Sequence, residues 1–355
     1  MHKKLFIPGP VEVRPDVLAK MATPMIGHRS RDASALQHSI SDKLKQLFCT
    51  DSAILLSTSS GSGLMEGAVR SCTLKRAAVF SIGAFGKRWF EMALANGVPA
   101  DLFEVEWGKP TEPEMVDAVL ASGKYDLVTI THNETSTGVM NPVEAIAPVV
   151  AKYPEVVYCL DAVSSMGGTK IEVDKLGVDI CITSTQKALG LPPGMAICSF
   201  SPKAAARAKE VPHRGYYLDL LALYEYILTK DFQYPSTPSL SHMFALDYQL
   251  DRIMAEGFDN RFARHLEMAE CVRAWAASNF ALFADPQYLS NTLTTISNNR
   301  GIDVGDLNKK LGARGYQISN GYGKMKDKTF RIAHMADCTL EEIKALLAAI
   351  DEILA

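Results

Sequence analysis

Lys187 stands in Ser184-Thr185-Gln186-Lys187-Ala188-Leu189-Gly190-Leu191-Pro192-Pro193-Gly194, just past an apolar, strand-like run and before a rigid Pro-Pro-Gly turn. Most lysines are solvated surface groups, but one held in a pocket that lowers its pKa is a nucleophile able to form an imine with a carbonyl. Asp161 closes the very apolar run Val156-Val157-Tyr158-Cys159-Leu160. A carboxylate there is costly to desolvate without a cationic partner, unless it only caps the turn into Ala162-Val163-Ser164-Ser165. Ser57-Thr58-Ser59-Ser60-Gly61-Ser62-Gly63 follows another strand candidate and leads into a helix whose free N–H groups could hold a phosphate. Serine and glycine also favour a plain loop and cap. The spacing Gly61-x-Gly63-x-x-x-Gly67 is one residue too long for a dinucleotide fingerprint, and no acidic residue ends the next strand, which weakens a dehydrogenase reading.

These groups need elements to bring them together. Short apolar runs alternate with amphipathic helical stretches, the signature of β-α units around a mostly parallel sheet. The strand candidates are Ala53–Ser57, Ala77–Ile82, Asp101–Glu106, Leu127–Thr131, Val156–Asp161, Asp179–Ser184 and Ala196–Phe200. Helical patterns such as Gly63–Cys72 and Lys87–Asn96 separate most of them, but the last two candidates follow without room for a long helix, so the sheet is expected to be mixed at one edge. After Phe200 come long helices, Pro238–Glu256 and Asn260–Phe280, then a smaller α+β stretch with strands near Leu293–Ser297, Tyr316–Ser319 and Thr329–Ala333. Thr339 and Glu342 form a capping box for a last helix. The expected organisation is an N-terminal arm over 1–20, a large domain over 21–256 and a small C-terminal domain over 257–355.

Composition narrows the partners. The 355 residues include 37 basic and 40 acidic side chains, a formal net charge of −3, without the basic surplus expected of a nucleic-acid binder. No stretch approaches the roughly 20 apolar residues of a membrane span, and the N-terminal apolar run is too short for a signal peptide. The seven cysteines form no C-x-x-C pair and no zinc-ligand spacing, so they read as reduced thiols of a cytoplasmic protein that binds no metal.

A phosphate cradle, a buried Asp and a lysine after the next strand match what pyridoxal phosphate requires. The segments Ser60-Gly61-Ser62-Gly63, His132-Asn133-Glu134-Thr135-Ser136-Thr137-Gly138, Asp161-Ala162-Val163-Ser164-Ser165 and Ser184-Thr185-Gln186-Lys187-Ala188-Leu189 resemble the class V aminotransferases of pyridoxal-phosphate fold type I. Within that class the likeness is greatest to alanine–glyoxylate and serine–pyruvate aminotransferases. It runs from Pro8-Gly9-Pro10 to Arg331 and implies an α/β fold, with a mainly parallel seven-stranded sheet in the large domain and a smaller α+β C-terminal domain.

Carried over by position, the resemblance makes Lys187 the imine-forming lysine and Asp161 the partner of the pyridinium nitrogen. Ser62, Gly63 and Gln186 would meet the phosphate, with Leu64 offering only its backbone N–H where relatives often have a polar residue. Thr135 would bond the ring hydroxyl, Phe85 would stack on the ring in place of a common tryptophan, and Arg331 would clamp the substrate carboxylate. Tyr234 and Thr237 would reach the phosphate of a neighbouring subunit, which implies a homodimer with shared sites. The implied reaction is a ping-pong transfer from alanine or serine to glyoxylate or pyruvate. The alternative is another class V enzyme, such as an aminophosphonate transaminase, lyase or epimerase. A desulfurase would need a cysteine between Asn320 and Lys328, where there is none, and a non-catalytic binding protein would be expected to lose Lys187.

Overall fold

The computed structural model describes residues 2–355. Strands that are apolar on both faces need cover on both sides, and the chain builds a seven-stranded sheet wrapped by helices. Its order is Ala53–Ser57, Ala196–Phe200, Ile180–Ser184, Val157–Asp161, Leu127–Thr131, Ala77–Ser81 and Ala100–Glu104. All neighbours are parallel except Ala196–Phe200, which runs antiparallel to both of its own and makes the sheet mixed near one edge. Thr131 pairs with Asp161, and Asp161 with Ile182, so three strands end side by side and present their last residues to one crevice.

A second sheet of five strands has the order Lys4–Phe6, Tyr316–Asn320, Thr329–Ala333, Leu293–Ser297 and Ala281–Leu282. The first of these is a feature that the sequence reading did not find. Lys4–Phe6 pairs in parallel with Tyr316–Ile318, so the arm opens as an edge strand of the C-terminal sheet. A strand of three residues carries no periodicity of its own, and its partner lies near the other end of the chain. Helix Leu340–Leu354 has the expected capping box, with Glu342 N–H donating to Thr339 Oγ1 at 3.3 Å and Thr339 N–H to Glu342 Oε2 at 3.1 Å. Among the described residues no helix is long and apolar enough to cross a membrane.

Two apolar cores result. The larger draws on residues from Val17 to Ile253, the smaller on Phe6 and on residues from Met268 to Ile350. Between them lies a polar seam around Arg261, 0% exposed in helix Phe258–Asn279. Its guanidinium donates to the carbonyls of Gly167 at 2.9 Å and Ala188 at 2.7 Å, and to Glu256 at 2.8 Å. Gln249 donates to the Leu189 carbonyl and to Asp337, both at 2.9 Å. The seam therefore grips Ala188 and Leu189, the two residues after Lys187. Removing one partner of a buried, hydrogen-bonded ion pair typically costs about 3–5 kcal/mol. Arg261→Ala should lower the calorimetric unfolding temperature clearly more than Arg264→Ala, whose guanidinium is partly solvated beside the same Glu256. Equal losses would show that the seam does not rest on the buried cation.

Candidate active site

A cavity of about 270 Å³ at the carboxyl ends of the large sheet is lined by Gly9, Pro10, Ser60, Gly61, Ser62, Phe85, Arg88, Asn133, Thr135, Asp161, Ser184, Gln186 and Lys187, among others. A larger hollow of about 490 Å³ beside Asp174 and Tyr224 holds no such convergence. Two of its three carboxylates are already engaged, Asp174 by Thr50 and the Asp51 amide, Asp179 by Ser201 and the Tyr158 amide.

Lys187 follows strand Ile180–Ser184 in a loop tied down locally. Thr185 donates its hydroxyl to the Pro192 carbonyl at 2.7 Å, and Gly190, at φ +75°, donates to the Lys187 carbonyl at 2.9 Å. The Lys187 side chain is 8% exposed and its ammonium donates to the Pro8 carbonyl. Burial brings its pKa down to about 8, with the Arg331 charge pushing the same way and Asp161 opposing. The arm makes this burial possible. Gly9 sits at φ +102°, and a Cβ there would lie 2.8 Å from Lys187 Cδ, so only glycine lets the chain cross the lysine so closely.

Asp161, 3% exposed, accepts from the Val163 amide at 3.0 Å. Burial pushes its pKa up to about 7, with the Glu134 charge adding to the rise and the Val163 amide opposing it. Helix Gly61–Cys72 starts at Ser60, whose side chain makes no cap bond. The helix therefore presents its first turn to the cavity through Gly61 and Ser62. Gly63 departs from expectation: its amide is given to the Ser60 carbonyl at 2.8 Å. Leu64 packs fully buried in the large core. Thr135 bonds Ser164 Oγ at 2.6 Å. The Gln186, Asn133 and Ser184 side-chain oxygens are buried at the cavity without a partner. The unpartnered Ser184 hydroxyl, which can donate, a helix start without a side-chain cap and a carboxyl raised by burial fit a phosphorylated, nitrogen-containing ring.

Several contributors escaped the sequence reading. Glu134, fully buried, takes the place of a cap for helix Ala84–Ala95, accepting from the Phe85 amide at 3.1 Å and the Gly86 amide at 2.9 Å. It thereby fixes the backbone that carries Phe85. Arg88 lies over the Phe85 ring at 4.6 Å and donates to Ser62 Oγ at 3.4 Å. Glu134 lies in the motif His132–Gly138, but nothing local aims it at a helix start 48 residues earlier in the chain.

Arg331 arrives from strand Thr329–Ala333 of the small sheet. It donates to the Thr135 carbonyl at 3.1 Å, and twice to the Asn320 carbonyl at 3.1 and 3.0 Å. Burial lowers its pKa to about 10. Tyr234 is not brought to this chain's cavity: 6% exposed, it packs in the large core and its hydroxyl is out of reach of solvent. Thr237, three residues further on, is exposed.

The folded chain keeps the Asp161 proton up to about pH 7, against 3.8 for an ordinary aspartate, so folding loses stability as pH rises through that window. Asp161→Asn removes the titration. The cofactor-free wild type should lose stability relative to the Asn variant across that window, by at most roughly 1.4 kcal/mol per pH unit, read from urea midpoints. Parallel pH curves for the two proteins would contradict a desolvated carboxyl.

The family described as aminotransferase class-V matches residues 26–346. The chain is 39% identical to an uncharacterized aminotransferase of Methanocaldococcus jannaschii, over 99% of this chain and 92% of the relative. It is 30% identical to the serine–glyoxylate aminotransferase of Arabidopsis thaliana, over 99% of this chain and 90% of the relative. Among solved structures, an alanine–glyoxylate aminotransferase from Nostoc sp. matches with a TM-score of 0.94 at 25% identity, covering 100% of this chain and 96% of that one. With the sheet order and the lysine cavity described above, these matches show that the chain belongs to the class V aminotransferases, pyridoxal-phosphate enzymes of fold type I.

Proposed function

We propose that this aminotransferase moves the amino group of alanine or serine to glyoxylate or pyruvate in ping-pong order, the first 2-oxo acid leaving before the second binds. The observation that carries the reading is a cavity of about 270 Å³ lined by Lys187 and Asp161, with Arg331 bonded to the carbonyl of its lining residue Thr135 and close enough to act on the Lys187 charge. A space of that size, shared between cofactor and substrate, favours short side chains. Bound pyridoxal phosphate supplies an aldehyde for amino groups and a cationic ring that draws electrons from the Cα–H bond. Ser62 and the first amides of helix Gly61–Cys72 would hold its phosphate, Phe85 would cover the ring and Asp161 would balance the ring nitrogen. Lys187 Nζ, partly neutral near pH 8, would take and return the Cα proton. Arg331 would hold the substrate carboxylate with its planar fork.

The division into an arm over 1–20, a large domain over 21–256 and a small domain over 257–355 fits the separate cores. A homodimer in which exposed Thr237 reaches the neighbouring site, and a cytoplasmic location suited to seven unpaired cysteines, complete the proposal. Light scattering on the purified enzyme should give twice the mass of one chain; a fully active monomer would remove the shared site.

Purified enzyme should transfer from alanine to glyoxylate, and Lys187→Ala should abolish turnover. A panel of donors and acceptors with no activity on alanine or serine would overturn the substrate reading. Arg331→Lys should raise KM for every amino and 2-oxo acid alike, because a point charge does not reproduce a two-pronged contact. Unaltered KM values would place the carboxylate elsewhere.

A further inference from the structure

One guanidinium, that of Arg88, lines the cavity and a second, that of Arg331, bonds the carbonyl of its lining residue Thr135; neither has a carboxylate partner within 4.0 Å among the described residues. Arg331 is held by backbone carbonyls, whereas Arg88 keeps looser company. Its contacts are Ser62 Oγ at 3.4 Å, the Phe85 ring at 4.6 Å and the Tyr322 hydroxyl, to which it donates at 3.1 Å. Each of its two terminal amino groups, the pair that would grip a carboxylate end-on, thus already donates once, one to Ser62 and the other to Tyr322.

Tyr322 stands between the two cations. Its ring lies 5.6 Å from the Arg331 guanidinium and 5.2 Å from the Phe85 ring. The loop that carries it joins strands Tyr316–Asn320 and Thr329–Ala333 of the small sheet, yet it is fastened to the large one. Lys324 sits over the Trp107 ring at 3.9 Å. Within the loop, Asn320 Oδ1 accepts from the Asp327 amide at 2.9 Å, and a Cβ at Gly321 would collide with the Met325 carbonyl oxygen at 2.0 Å. The phenol is thus placed by a folded loop with contacts on both sides of the crevice.

We propose that Tyr322 sets substrate specificity by bonding the Arg88 amino group that faces it, so that a side-chain carboxylate must displace the phenol to take a two-pronged hold and the site prefers monocarboxylic amino acids. This rests on the aminotransferase reading and on Arg331 as the clamp for the α-carboxylate. A four- or five-carbon dicarboxylic substrate would have to break the Arg88–Tyr322 bond to seat its second charge, and an alanine-sized substrate would not. Exclusion here is a difference of affinities produced by an occupied donor rather than by a clash.

The test uses holoenzyme and two ligands that do not react, propionate and succinate, with affinities read from the absorption of the bound cofactor. Wild type should bind propionate at least as tightly as succinate. Tyr322→Phe keeps the ring and its packing but frees Arg88, and should raise the succinate-to-propionate preference at least tenfold. Adding Arg88→Leu to that variant should return the preference to the wild-type value. The kcat/KM ratio for aspartate over alanine should move in the same direction. A Phe variant without a succinate gain, including one that binds neither ligand, overturns the proposal. So does a gain that survives Arg88→Leu, or a wild type that already prefers succinate tenfold. If the affinities shift as expected while wild type fails to transfer from alanine, the latch stands and the substrate reading falls.

Discussion

A lysine amine attacks a carbonyl only when neutral, and in water it stays protonated to about pH 10. Keeping the Lys187 ammonium out of water is therefore the constraint on which the rest of the site depends. The arm meets it by laying Pro8, Gly9 and Pro10 across the side chain, with the Pro8 carbonyl as the one acceptor for the amine. Arg331 and Arg88 add repulsion that favours the neutral form. The same burial penalises the Asp161 carboxylate and raises its pKa. One environment thus moves an amine and a carboxyl toward neutrality together, and a cationic ring at Asp161 would reverse the second shift while leaving the first.

Dryness requires that the two halves of the chain close on each other. Arg261 and Gln249 bond the carbonyls just past Lys187 from one side, and Arg331 bonds the Thr135 carbonyl from the other. Loop 320–328 adds Tyr322 and Lys324 on the rim. The lysine is held by the large sheet, covered by the arm and bordered by a cation from the small sheet. A change in the seam between the cores would then be felt as a change in solvent access to the amine.

Strand ends and helix starts are local events, and they were legible without coordinates. A run such as Val156–Leu160 stops where a polar residue must face a crevice, which marks Asp161, and a Pro-Pro-Gly turn marks the loop after Lys187. Small residues ahead of an amphipathic stretch marked the helix that begins at Gly61. Neighbours along the chain did not reveal that the Ser60 carbonyl would accept from the Gly63 amide, nor that Tyr234 would pack in the large core of its own chain.

The sequence by itself determined the family, the alternation of elements in the large sheet and the residues at its strand ends, because periodicity and motif spacing are written in neighbours along the chain. Only the tertiary structure decided that the arm pairs with Tyr316–Ile318, that Glu134 caps the helix bearing Phe85, and that Tyr322 lies between Arg88 and Arg331. Each joins groups far apart in sequence. Their partners are chosen by how buried charge and backbone donors are satisfied once the cores have packed, and no local pattern encodes that choice.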